Sequence, residues 1–117
     1  MATQYIGNGT FVANSAITAF RNVVISNNRG VGLSATAGSV DGVALIDAAS
    51  GDFLTVQFLT NIGTANGTLI GAPVTVGDTL FSGASGQVST SGTVTVGKSL
   101  TTADTNGAII EFIPKNL

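Results

Sequence analysis

The stretch VTVGDTL at residues 74–80 has a near copy twenty residues later, VTVGKSL at residues 94–100. A true period of twenty residues would indicate a β-solenoid, in which at least three coils stack on one another. One further step back gives LTVQF at 54–58, which lacks the glycine and the charged residue, and the next step gives SATAG, which does not form strands. The period ends after two copies, so the sequence does not predict a solenoid.

A longer shift, with a drift of one or two positions along the chain, aligns much more of the sequence. The segment AITAFRNVVISNNRG at 16–30 lies beside APVTVGDTLFSGASG at 72–86. The segment GVALIDAASGDFLTVQF at 42–58 lies beside GKSLTTADTNGAIIEF at 97–112. Each pair shares apolar segments, polar loops with glycine and a closing apolar strand. In this alignment VTVGDTL lies opposite ITAFRNV. Its likeness to VTVGKSL therefore reflects a similar local structure, a β-branched strand interrupted by glycine and a charged turn residue, and not a repeat.

This longer shift predicts the fold class. We expect two similar β halves, at about residues 14–60 and 70–114, joined by the Gly- and Asn-rich segment NIGTANGTLIG. Each half is too small to bury both faces of its strands alone, so the two are expected to close into one β-barrel or β-sandwich. With 117 residues, the chain is predicted to be a small, single-domain, all-β protein.

Short segments rich in Val, Ile, Thr and Phe, separated by Gly, Asn and Ser, support this class. No segment predicts a stable helix. Asn-Gly pairs begin at residues 8, 66 and 106, and each is expected in a turn. The two N-x-T sequons, at Asn8 and Asn66, are interpreted as part of these turns. The predicted strands are 20–26, 42–47, 53–60, 67–71, 75–82, 93–97 and 108–113.

Composition indicates an unusually uncharged surface. Charged residues make up 9% of the chain, the net charge is −2 and the mean hydropathy is +0.47. Such a surface favours association between copies. No apolar run is long enough to span a bilayer and the N-terminus lacks the pattern of a secretory signal, so no membrane partner is expected. Nucleic-acid binding is not expected either, because the basic residues are scattered at Arg21, Arg29, Lys98 and Lys115.

The residue types that carry most catalytic and metal chemistry are missing. The sequence has no His and no Cys, which excludes Ser-His and Cys-His nucleophilic sites and makes a zinc site very improbable. Carboxylates leave two weaker alternatives: a glycosidase pair, which would need sugar-stacking aromatics, and a calcium site at Asp47 and Asp52. Asp beside Gly, Ala or Thr is instead typical of turns. We therefore predict no enzymatic activity, no metal and no cofactor.

The N-terminal segment ATQYIGNGTFV contains the only Tyr of the chain and lies outside the two predicted halves. Residues 1–13 are predicted to form an extended N-terminal arm, and residues 14–117 the β domain. Two interpretations remain open for the apolar residues of the arm. They either cover the core of their own subunit, or they lie across a neighbouring protein, where aromatic anchors contribute most of the binding energy.

The segments 16–58 and 74–114 together resemble the small capsid cement, or head decoration, proteins of tailed bacteriophages. Sequences of that family typically have an apolar-Gly-Asp entry to a strand, a Gly-x-Val turn and a Gly-x-Ala strand. In this chain Gly77-Asp78, Gly86-Gln87-Val88 and Gly42-Val43-Ala44 match those steps.

The resemblance implies a structural virion protein, made in the host cytoplasm, that binds the outer surface of an icosahedral capsid. Members of the family are commonly β-rich trimers that stabilise the shell by bridging neighbouring subunits. The implied partners are therefore the major capsid protein and the chain itself, as a homotrimer. The sequence departs from the family pattern at Phe20-Arg21, which replace Gly-Asp, and at Gly97-Lys98. The predicted capsid or subunit interface comprises Tyr5, Ile6, Phe11, Phe20 and Arg21.

A second interpretation assigns a different virion role. The chain could be a tail or baseplate component, or a carbohydrate-binding β-module of a phage fibre. Glycan binding would predict exposed aromatic platforms, and only 6% of the residues are aromatic, with no Trp. A tail fibre would predict longer true repeats. The cement protein is therefore the leading prediction.

Overall fold

The computed structural model describes residues 8–36, 38–59 and 63–114. Ten strands and no α-helix lie within these ranges, so the all-β class is confirmed. The strands are β1 (Asn8–Ala13), β2 (Asn22–Asn27), β3 (Gly30–Leu33), β4 (Gly42–Ala44), β5 (Phe53–Phe58), β6 (Ala65–Ile70), β7 (Thr79–Ser82), β8 (Val88–Ser89), β9 (Thr95–Ser99) and β10 (Ile109–Pro114).

The strands form two barrels with the same connectivity. The first barrel has the order β1-β3-β2-β4-β5 and the second has the order β6-β8-β7-β9-β10, each closing on itself. In both barrels the first strand runs parallel to the third and antiparallel to the fifth. The remaining neighbours are antiparallel. The prediction of two similar β halves is confirmed.

Each half closes its own barrel, whereas the sequence was expected to give one barrel or sandwich shared by both halves. Closure is possible because the fifth strand pairs on both sides: β5 with β1 and β4, and β10 with β6 and β9. A closed barrel leaves no free strand edge, so each half can bury an apolar core without the other. The largest fully buried side chains of the two cores include Val23, Val31, Leu54 and Val56 in the first, and Leu69, Leu80, Val88, Ile110 and Phe112 in the second.

Residues that have equivalent partners in the two ladders show how the halves correspond in sequence. The third, fourth and fifth strands of the barrels are aligned by the pairs Val31 and Val88, Gly42 and Gly97, and Val56 and Phe112. The distance along the chain differs between these pairs by no more than two positions. The longer shift predicted from the sequence, including its small drift, is therefore confirmed.

The two near copies, VTVGDTL and VTVGKSL, are neighbours within one barrel. Thr79 of the first faces Lys98 of the second, and Leu80 faces Gly97, on the antiparallel strands β7 and β9. The two segments are therefore paired with each other in one ladder. They are not units of a twenty-residue repeat, and this agrees with the longer alignment.

Residues 8–13 form β1 of the first barrel, so the prediction of an arm that extends to residue 13 is wrong. Phe11 is only 5% exposed and packs in the first core. The physical reason is closure: β1 supplies the strand that β5 needs on its open side. For the same reason the halves begin at β1 and β6 rather than at residues 14 and 70. Tyr5 and Ile6, the other predicted arm residues, lie outside the described residues.

Two of the three Asn-Gly pairs lie inside strands instead of turns. Asn8-Gly9 is in β1 and Asn66-Gly67 is in β6, while Asn106-Gly107 does form a turn. A Cβ atom at Gly9 would lie 3.0 Å from the ring of Phe58, and one at Gly67 would lie 3.1 Å from the ring of Phe112. These two glycines therefore make room for aromatic rings, a role that glycine also has within strands.

Candidate interaction surface

The two barrels meet through different surfaces. Strands β2 and β4 of the first half face β6 and the tight turn Ala84–Gly86 of the second half. Val40 and Val43 belong to the first half, yet they pack into the apolar cluster of the second. Val43 is 0% exposed. The contact is thus head to tail, since it joins non-equivalent faces of two equivalent barrels.

Hydrogen bonds to the backbone fix this junction. The carbonyl of Phe20 accepts from both the N–H and the Oγ1 of Thr68, each at 3.0 Å. The Nη1 of Arg21 donates to the carbonyl of Ser85 at 3.0 Å. Phe20 and Arg21, which were predicted to contact a capsid or another subunit, therefore contact the second half of their own chain.

Two buried serines form the centre of the junction. The hydroxyl oxygens of Ser34 and Ser82 lie 3.1 Å apart, and both side chains are fully buried. The Ser82 hydroxyl donates to the carbonyl of Ala35 at 2.8 Å, and the Ser34 hydroxyl donates to that of Ser39 at 2.8 Å. The N–H of Gly86 donates to the Ser34 carbonyl at 2.7 Å. Every hydrogen bond here except the one to Ser39 crosses between the halves.

Replacing Ser82 by alanine is expected to lower the free energy of unfolding by about 1 kcal/mol, because the carbonyl of Ala35 loses the hydroxyl donor that reaches it across the junction. Chemical denaturation measures the change. Ser91→Ala is the control, since Ser91 is exposed and its replacement should change stability by less than about 0.5 kcal/mol. Equal effects of the two substitutions would contradict a role for Ser82 in holding the halves together.

The predicted interface residues that the structure describes, Phe11, Phe20 and Arg21, do not form one exposed surface. The Phe11 ring packs edge-to-face on Phe58, with centroids 5.8 Å apart, and the guanidinium of Arg29 lies 4.8 Å from its centroid. The prediction of Phe11 as an exposed anchor is therefore wrong. Its sequence context, apolar and preceded by Gly-Asn-Gly, does not distinguish a strand from an arm.

Other apolar side chains are exposed instead. Phe53 is 72% exposed and Ile109 is 52% exposed. The two are equivalent, because each begins the fifth strand of its barrel. Sequence alternation could have identified Phe53: it shares a strand face with Thr55 and Gln57, whereas Leu54 and Val56 point into the core. The other large exposed apolar residues of the described ranges are Ile25, Ile46, Val76 and Ile113.

Carboxylates accept hydrogen bonds from backbone N–H groups. Asp78 accepts from Thr75 at 2.9 Å within its own turn, as predicted. Asp47 accepts from Ala19 at 2.7 Å, and Asp41 accepts from the N–H of a β2 residue at 2.8 Å, so these two connect segments distant in sequence. Within the described ranges, no group of three or more acidic side chains is placed to hold a metal ion.

The described part of the chain contains no helix with the length and apolar character needed to cross a membrane.

No protein-family model and no curated protein matches this sequence. The structure is similar to the crystal structure of the N base of head fiber gp8.5 in bacteriophage phi29, with a TM-score of 0.77. The two sequences are 21% identical, and the alignment covers 92% of each chain. The alignment therefore spans both barrels, and this chain shares its fold with a base of a phage head fibre.

Proposed function

We propose that this chain is a non-enzymatic structural protein of a bacteriophage virion, carried on the outer surface of the head. The observation that supports this proposal is the likeness of the whole two-barrel fold to the N base of a phage head fibre. The likeness extends over both barrels, so it concerns the junction between them as well as each half. The role requires no metal and no cofactor.

The finer proposal is that the protein stabilises the shell by bridging neighbouring major capsid protein subunits, acting as a homotrimer. Closed barrels suit this role because they offer no free strand edge on which copies could aggregate. Many weak contacts repeated over a shell add up, since each contact already made brings the next one within reach. A net charge of only −2 adds little repulsion between closely spaced copies.

We propose Phe53 as the principal anchor for the capsid, in place of the buried Phe11. A phenyl ring that is 72% exposed gains apolar contact when a partner covers it, and aromatic anchors often dominate binding energy. Tyr5 and Ile6 remain predicted contacts of the segment before β1. Ile109 gives the second barrel an equivalent apolar contact on the same strand position.

A second candidate is the base of a fibre that projects from the virion, and the name of the structural neighbour supports it equally. In that case the protein would carry a further component instead of bridging capsid subunits. A tail or baseplate position belongs to the same alternative. The two candidates differ in where the protein lies and in what it touches.

Electron cryomicroscopy of the virions that contain this protein tests the proposal. We expect trimeric density on the outer shell that contacts at least two neighbouring capsid subunits. Density at the root of a projecting fibre would contradict the bridging role and support the role of a fibre base. Density on the tail alone would contradict a location on the head.

Replacing Phe53 by serine is expected to weaken binding to capsids that lack the protein by about tenfold or more, because an aromatic anchor typically contributes over 1 kcal/mol. Co-sedimentation of purified protein with such capsids measures the change. Val76→Ser is a matched control, since Val76 is also an exposed apolar residue. Unchanged binding of the folded Phe53→Ser protein would remove Phe53 from the interface.

A further inference from the structure

The head-to-tail contact leaves two faces of the chain unused. The face contributed by the first half, around β2 and β4, is termed the acceptor face; the face contributed by the second half, around β6 and the turn Ala84–Gly86, is termed the donor face. Because the barrels are equivalent, the second half has its own acceptor face and the first half has its own donor face. Repeating the same contact between copies would produce rings or open filaments.

We propose that Arg29 and Lys98 close these two unused faces, so that head-to-tail docking stops after the two barrels of one chain. Arg29 lies on the donor face of the first half, and Lys98 lies on the acceptor face of the second. Arg29 is equivalent to Gly86 and Lys98 is equivalent to Val43. Gly86 and Val43 both lie in the occupied junction, where the contact depends on them.

The block at Arg29 is steric. Gly86 and Arg29 occupy the same turn position in the two halves, and both have positive φ, 75° and 59°. In the occupied junction a Cβ atom at Gly86 would lie 2.5 Å from the carbonyl oxygen of Asn22 and 3.2 Å from the Cβ of Arg21. An arginine at that position cannot fit against the backbone of a docked barrel.

Arg29 is also held in place. Its guanidinium lies 4.8 Å from the centroid of the Phe11 ring, and its Nη2 donates to the carbonyl of Thr10 at 2.6 Å. A side chain with these two contacts does not move aside without losing both. Arg29 is exposed, but these two contacts hold its side chain against the first barrel.

The block at Lys98 is electrostatic. Val43 is 0% exposed and packs into the apolar cluster of the second half. Lys98 has the equivalent place on β9, facing Thr79 as Val43 faces Asn22, and it is exposed. Docking a further barrel there would bury an ammonium group, which is costly without a paired charge.

A third difference removes a hydrogen bond but does not itself close the face. Ser82, whose hydroxyl binds across the occupied junction, is replaced by Ile25 at the equivalent position of the first half. The carbonyl and hydroxyl groups of a docked acceptor face would find an apolar side chain there. Oligomers of this chain must therefore use surfaces other than these two faces.

The test is the double substitution Arg29→Gly with Lys98→Val, which gives the two unused faces the glycine and the valine of the occupied ones. Glycine accepts the positive φ of position 29, so the turn is retained. We expect the mass of the double variant, measured by sedimentation velocity, to rise with concentration above that of the unmodified protein. A folded double variant whose mass stays equal to that of the unmodified protein would overturn the proposal.

The two single variants are the controls. In a contact between copies Arg29 and Lys98 come from opposite partners, so either one alone keeps the contact closed. Both singles should retain the mass of the unmodified protein. If Lys98→Val associates as strongly as the double variant, the association is due to an exposed apolar side chain and the proposal is wrong.

If the double variant does not fold, the reverse substitution tests the proposal instead. Val43→Lys places the charged residue in the occupied junction, outside the core of the first barrel. We expect the N–H of Thr68, which donates to Phe20 across the junction, to lose its protection from hydrogen exchange. Val76→Lys, at an exposed position, should leave this protection unchanged. Full protection of the Thr68 amide in Val43→Lys would overturn the proposal.

Discussion

Replacing Phe112 by alanine is expected to lower the free energy of unfolding by about 4 kcal/mol, because Phe112 is the largest fully buried side chain that the structure describes. The ring is 0% exposed and lies in the second core. Glycines flank it: Cβ atoms at Gly67 and Gly97 would lie 3.1 Å and 2.7 Å from its atoms. Because neither neighbour has a side chain that could move into the cavity, the site cannot collapse and the full cost is retained.

Denaturant-induced unfolding measures this loss, and the equivalent residue of the first half provides the comparison. Val56 corresponds to Phe112, so Val56→Ala removes a smaller side chain from the same position of the other barrel. We expect it to cost about half as much, in proportion to the smaller cavity. A loss below about 1.5 kcal/mol for Phe112→Ala, within the range of a volume-conserving exchange, would show that the second core does collapse around the missing ring.

The same comparison explains why the internal duplication is faint in the sequence. The first half has Phe11 and Val56 at the positions where the second half has Gly67 and Phe112. The phenyl ring therefore lies on the first strand in one barrel and on the fifth strand in the other. Each core thus receives one phenyl ring from these two positions, while both positions differ in residue type. An alignment by residue identity therefore fails at the positions that matter most for packing.

Sequence patterns predicted the class, the two halves and their spacing because these depend on local features. Glycine turns and apolar pairs recur at matching intervals, as at Gly51 and Gly107, which both have a φ of 90°. Barrel closure could not be predicted in the same way. It depends on parallel pairing of β1 with β3 and of β6 with β8, which are contacts between segments that no local pattern connects.

The candidate interface was predicted less well, and the reasons are particular. Phe11 looked like an arm residue because β1 begins with Asn-Gly, a dipeptide typical of turns. Phe20-Arg21, which depart from Gly-Asp, do occupy the position equivalent to Gly77-Asp78: Phe20 has the positive φ of 63° that Gly77 has at 95°. Their role in the junction follows from the docking of the barrels, which is a tertiary property. Only Phe53 had a local signal, its place on the polar face of β5.

The second large effect is expected at Gly86, where alanine should lower the free energy of unfolding by about 3 kcal/mol. About 1 kcal/mol of this comes from placing a Cβ on a residue with φ of 75°. The remainder, of order 1–3 kcal/mol, comes from overpacking, because the new Cβ would lie 2.5 Å from the carbonyl oxygen of Asn22. That carbonyl accepts a hydrogen bond from the N–H of Ser34, so it cannot move without disturbing a residue at the centre of the junction.

Gly77 separates the two contributions, because it has a φ of 95° but a Cβ there would meet no atom within 4 Å. Gly77→Ala should therefore cost only the backbone term, about 1 kcal/mol, and leave the junction intact. Urea unfolding gives both values, and hydrogen exchange at the Thr68 amide reports on the junction. Greater exchange in Gly86→Ala but not in Gly77→Ala is the expected result. Equal losses of stability in the two variants would mean that the barrels can move apart at Gly86 without cost, and the close approach of the two halves would then not depend on a glycine at this turn.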